Sequence, residues 1–124
     1  MPLSASFDFS APTSIDVILR AGVGGTLSVQ VKYKGGGPVD ITGASIRYVA
    51  NTSPQIIKTV GVGIAIDLPE TNGTFTITYT AADTTAHNSD QGKEHECKLQ
   101  QLGGVPLAVF EGKLMIEPSL FTTI

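Results

Sequence analysis

From Ile15 onward apolar and polar residues alternate with a period of two, the spacing by which a pleated strand turns one face to a core and the other to water. Ile15, Val17 and Leu19 alternate with Asp16 and Arg20, although Ile18 breaks the polarity of the second face. Leu27, Val29, Val31 and Tyr33 alternate strictly with Ser28, Gln30, Lys32 and Lys34. Ile46, Tyr48 and Ala50 lie opposite Ser45 and Arg47, and Phe75, Ile77 and Tyr79 opposite Thr74, Thr76, Thr78 and Thr80. His95, Cys97 and Leu99 share a face, with Glu94, Glu96, Lys98 and Gln100 on the other. Short strands are also predicted over 55–60 and 64–68, and a last one over 107–117, where Gly112 marks a bulge or a close approach.

Turn residues separate these runs: Gly35-Gly36-Gly37-Pro38, Asn51-Thr52-Ser53-Pro54, Asn72-Gly73 and Gly103-Gly104-Val105-Pro106. Asn72-Gly73 supplies the positive φ of a tight turn. Thr80 with Asp83 three residues on is a weak capping box over the one plausible helical turn. Seven or eight short strands with turn signals about every ten residues indicate a sandwich or a barrel, with the sandwich favoured. The expected architecture is all-β and antiparallel, with Val29, Val31, Tyr33, Ile46, Phe75, Ile77, Tyr79 and Leu114 in one core.

Residues 1–14 have no sustained period and read as an extended N-terminal arm ahead of a single domain over 15–119 and a short C-terminal tail over 120–124. Phe7 and Phe9 are two residues apart and project to one side of an extended chain. Leu3, Phe7 and Phe9 in the arm and Leu120 and Phe121 in the tail are the expected partner-binding residues. The arm is expected to reach a neighbouring chain rather than fold back on its own domain.

Composition narrows the partners. Only 15% of the 124 residues are charged, against roughly 25% in an average soluble domain, so part of the surface is expected to be covered. The net charge is −3 and the eight basic residues are scattered singly, which argues against nucleic acid. No apolar run approaches the roughly 18 residues of a membrane span. One cysteine, Cys97, cannot form an internal disulfide, and the N-terminus has neither the basic nor the apolar region of a secretion signal, so folding in a reducing cytoplasm is expected.

Candidate chemistry is sparse. Neither His87 nor His95 sits in a nucleophile signature. His95 and Cys97 could ligate zinc with His87 or Asp90, but no second ligand pair stands at zinc spacing, and packing in the core is the better reading. The glycines of 21–25 lack the Lys-Ser/Thr of a phosphate loop and read as a hairpin or sheet-crossing connection. Asp16, Asp40, Asp67 and Asp83 could do acid–base work only if they converged in a cleft, which nothing in their spacing requires, and Asp40 and Asp83 sit at turn positions where Asp bonds nearby backbone amides. No catalytic residue, cofactor, metal or small-molecule substrate is therefore expected.

Four segments in order make a recognisable whole: Gly-Gly-Gly-Pro-Val-Asp-Ile-Thr-Gly-Ala-Ser-Ile-Arg (35–47), Gly-Ile-Ala-Ile-Asp (63–67), Asn-Gly-Thr-Phe-Thr-Ile-Thr-Tyr-Thr-Ala-Ala-Asp-Thr (72–84) and Phe-Glu-Gly-Lys-Leu-Met-Ile-Glu-Pro-Ser (110–119). Over about 15–119 this resembles the immunoglobulin-like modules of tailed-bacteriophage virions, notably the N-terminal domain of baseplate upper proteins and tail-fibre adaptor modules. It departs from that pattern after Gly92, where alternating aromatics give way to Lys93, Glu94, His95, Glu96 and Cys97. The resemblance implies an immunoglobulin-like β-sandwich and a non-enzymatic virion component of the tail, baseplate or fibre-attachment region. Its partners would be other virion proteins and further copies of itself. An outer capsid decoration (cement) protein is the alternative within that class. A carbohydrate-binding module is more distant, since Trp is absent and Tyr numbers three.

Overall fold

The computed structural model describes residues 14–33, 36–52, 55–85 and 92–117, and residues 2–8 and 13 by backbone alone. Ten strands and one helix follow in order: β1 (Pro2–Asp8), β2 (Thr13–Ser14), β3 (Val17–Arg20), β4 (Gly25–Lys32), β5 (Ser45–Ala50), β6 (Ile56–Val60), β7 (Gly63–Ile66), β8 (Thr74–Tyr79), α1 (Ala81–Thr85), β9 (Lys93–Gln100) and β10 (Pro106–Glu117). They form one mixed sheet in the order β1-β4-β8-β7-β6-β5-β9-β10, with β2 and β3 along the far side of β10. The sheet curls until it is nearly closed into a barrel.

The expected antiparallel sandwich of two sheets is thus corrected on two counts. Hydrogen bonding does not break between the two walls, because Gly61 at φ 88° and Gly63 at φ 91° fold the chain tightly enough to pair Thr59 with Gly63 and Val60 with Ile64. Four pairings are also parallel: β6 with β7, β1 with β4, and β2 and β3 with β10. The segment read as an arm is extended, but its backbone runs along its own sheet edge, from Pro2 beside Thr26 to Asp8 beside Lys32. The side chains of Leu3 and Phe7, and the whole of Phe9, Leu120 and Phe121, lie outside the described residues.

Alternation does place the core. Val29, Val31, Ile46, Phe75, Ile77, Tyr79 and Leu114 are all buried, with Leu27, Tyr48, Leu99, Phe110 and Ile116 beside them. Each large side chain withdrawn from water contributes about 1.5–3 kcal/mol of apolar transfer. Tyr48 of β5 meets Tyr79 of β8 edge-on at 5.6 Å; these strands are not neighbours in the sheet, so the contact spans the interior. Tyr33 is the exception at 50% exposed. Strand β4 ends at Lys32, and Tyr33 instead closes a turn, donating its amide to Gly37 O and accepting from Gly36 N.

The punctuation is more elaborate than the sequence suggests. A 3-10 turn over Glu70–Asn72 precedes Gly73, which takes φ 68°. A Cβ on Gly73 would lie 2.6 Å from Val31 O and 2.7 Å from Val39 O. The capping box is present in reciprocal form: Thr80 N donates to Asp83 Oδ2 at 2.7 Å and Asp83 N to Thr80 Oγ1 at 3.1 Å. The glycines of 21–25 carry the chain across the barrel, from β3 beside β10 to β4 beside β8.

Candidate functional site

Among the described residues, concavities lie on the surface outside β5, β9 and β10 at two places. The first lies over His95. Alternation turns His95 inward, and its cross-strand partner on β10 is Gly112. With no side chain there, the backbone of Ile15 comes in so close that a Cβ on Gly112 would overlap the Ile15 carbonyl. His95 Nε2 donates to that carbonyl at 2.8 Å. A carbonyl can only accept, so Nε2 carries the hydrogen and Nδ1 takes the Tyr48 hydroxyl at 2.8 Å. Ile15 N donates to Glu111 O at 2.9 Å and Lys113 N to Asp16 Oδ1 at 2.9 Å. These bonds fix residues 15 and 16, between the two short strands that flank β10.

Burial pushes the His95 imidazole below its ordinary pKa, against the opposing pull of the Ile15 carbonyl and the Asp16 charge. Burial likewise raises the phenols of Tyr48 and Tyr79. The Tyr79 hydroxyl completes no hydrogen bond among the described residues. Outside this network an open polar groove runs between Asp16, Asn51, Gln55, Glu94, Glu111 and Lys113, with Lys113 and Glu94 paired at 3.5 Å.

The other sequence candidates are dispersed. Cys97 shares the inward face of β9 with His95 but is buried, and burial followed by the Glu96 charge raises its thiol. Both nitrogens of His95 are engaged by other partners, and His87 and Asp90 lie outside the described residues. Asp40 accepts from Thr42 N at 2.9 Å and Thr42 Oγ1 at 2.6 Å, which together hold its carboxyl below the usual range. Asp67 accepts from Thr76 Oγ1 at 3.0 Å. Asp83 joins its capping role to an ion pair with Lys58 at 2.6 Å. The four carboxylates therefore serve four separate local structures and do not converge.

The second concavity was not anticipated from the sequence. At the Pro106 end of the sheet an apolar groove runs over Ser45 and Arg47 of β5 and Lys98 and Gln100 of β9, between Val60 on one side and Pro106 on the other. The flanking turns expose further apolar residues, Val62 at 66%, Leu102 at 81% and Val105 at 70%. The available signal was the apolar residues inside glycine turns, Val60-Gly61-Val62 and Leu102-Gly103-Gly104-Val105. Such turns are ordinarily polar.

The sequence matches no protein-family model and no curated protein. Among solved structures, the N-terminal domain of phage TP901-1 ORF48 superposes with a TM-score of 0.59 at 16% identity, over 94% of this chain and 98% of that one. The RIG-5 IG1 homodimer structure gives a TM-score of 0.43 at 9% identity, over 90% and 95% of the respective chains. The chain shares its fold with the phage ORF48 N-terminal domain along almost the full length of both.

Proposed function

We propose that this chain is a non-enzymatic structural component of a tailed-phage virion, placed in the tail, baseplate or fibre-attachment region, where it binds other virion proteins. The observation that carries the reading is the fold shared with a phage domain over 94% of this chain. Two independent features support it: the ordered segments 35–47, 63–67, 72–84 and 110–119, and an exposed apolar groove on a surface with few charges. Among the described residues, the polar side chains found near one another hold backbone segments together.

The test is to purify particles from cells carrying the gene in its natural context and to follow this chain by mass spectrometry and immunogold labelling. The chain should co-purify with intact particles and label the tail. Its absence from particles would refute the reading.

A further inference from the structure

The apolar groove and the C-terminal segment stand at opposite ends of one strand. Pro106 opens β10 at the groove and Glu117 closes it, so the 12-residue strand separates them by about 35 Å at strand rise. Residues 118–124, Pro-Ser-Leu-Phe-Thr-Thr-Ile, have no charged side chain and include Leu120, Phe121 and Ile124. Fully extended from Glu117, Phe121 reaches about 14 Å and Ile124 about 24 Å. Leu120 and Phe121 therefore stop short of the groove of their own chain.

We propose that the groove binds residues 118–124 of a second copy, so that copies join head to tail. The chemistry matches: the side chains of 118–124 carry no charge and lose no ionic hydration on entering, and Leu120 and Phe121 cover the apolar surface between Val60 and Pro106, against the lining stems of Arg47 and Lys98. Such a contact is heterologous. Each copy keeps one free groove and one free tail, and the array grows until rotation closes it into a ring. The proposal deepens the structural reading above by naming a partner and an interface.

Two full-length variants separate the halves. Val60→Asp charges the groove at a residue that is 42% exposed, with the fold checked by its circular dichroism melt, while Phe121→Asp disables the tail. In analytical ultracentrifugation the wild-type chain should associate with rising concentration, and each variant alone should stay monomeric. An equimolar mixture should form a one-to-one dimer and nothing larger, because it contains one sound groove and one sound tail. Phe121→Ala should weaken wild-type association about 10- to 100-fold. A wild-type chain that is monomeric up to its solubility limit would overturn the proposal. So would undiminished association of Phe121→Asp, or a mixture that stays monomeric. These outcomes are separate from the particle experiment: a monomeric chain found in virions removes this interface and leaves the structural role, whereas a self-associating chain missing from virions does the reverse.

Discussion

Tyr48 hands its phenolic hydrogen to Nδ1 of His95 across 2.8 Å, because the opposite ring nitrogen is engaged by the carbonyl of Ile15. The imidazole is thereby held neutral in one tautomer. Burial lowers its pKa in the folded chain, whereas the unfolded chain keeps a value of about 6.5. The unfolded state thus takes up a proton that the folded state resists. Stability should be fully present above about pH 6.5 and decline as pH falls towards the depressed folded value. Thermal melts between about pH 8 and 5 should show that decline in the wild type, and His95→Gln should be less stable at pH 8 with a shallower slope. Parallel slopes for the two proteins would show that His95 does not set the dependence.

Gly112 is where the Ile15 carbonyl enters, and any Cβ would overlap it. Gly112→Ala should cost about 2–3 kcal/mol in urea unfolding, by pushing Ile15 away from His95. Gly37→Ala is the control, since a Cβ there meets nothing within 4 Å; it should change stability by less than about 0.5 kcal/mol. Similar costs at both sites would dismiss the close approach as the cause.

Asp83 Oδ2 is shared between Lys58 Nζ at 2.6 Å and Thr80 N at 2.7 Å. Lys58→Met removes only the ion pair, whereas Asp83→Ala also removes the cap of α1 and leaves a largely buried ammonium unpaired. Asp83→Ala should be the costlier change by about 1–2 kcal/mol. A double-mutant cycle should return a coupling of about 1–3 kcal/mol; additive effects would mean that the pair contributes little.

Cys97 is fully buried on β9, and burial raises its thiol well above the ordinary value. Because the thiolate is the reactive form, a disulfide reagent near pH 8 should label the native chain only at the rate of unfolding and label it at once in strong urea. Rapid stoichiometric labelling without denaturant would contradict this burial.

Face was legible in the sequence, and neighbour was not. Alternation in 74–80 and 27–31 identified which side chains point inward, because period two is a property of one strand. It carries no information about which strand lies alongside or in which direction, so the parallel pairings of β1 and β3 were missed. Tyr33 was misplaced because alternation continues for one residue after the hydrogen-bonded strand has ended. The common inward face of His95 and Cys97 could be read, but the principal partner of His95 could not: it is the Ile15 carbonyl, a backbone atom with no signature in the residue type. Gly112 was readable as a close-approach point because glycine inside a strand has few other uses. The apolar groove was hidden by its own turns, whose glycines drew the reading towards punctuation.

The pairing of β3 with β10 has a consequence for how the molecule is made. Arg20 bonds Glu117 across 97 positions, and Asp16 bonds the Lys113 amide across the same interval. A chain emerging from the ribosome therefore exposes β3 long before it supplies the strand that β3 pairs with. Until residue 117 is clear of the exit tunnel, β10 cannot be completed and the side of the sheet where β3 docks has no template. Closing so long a loop late makes folding slow relative to a chain whose contacts are local. The nascent intermediate meanwhile presents unpaired strand edges to other nascent chains.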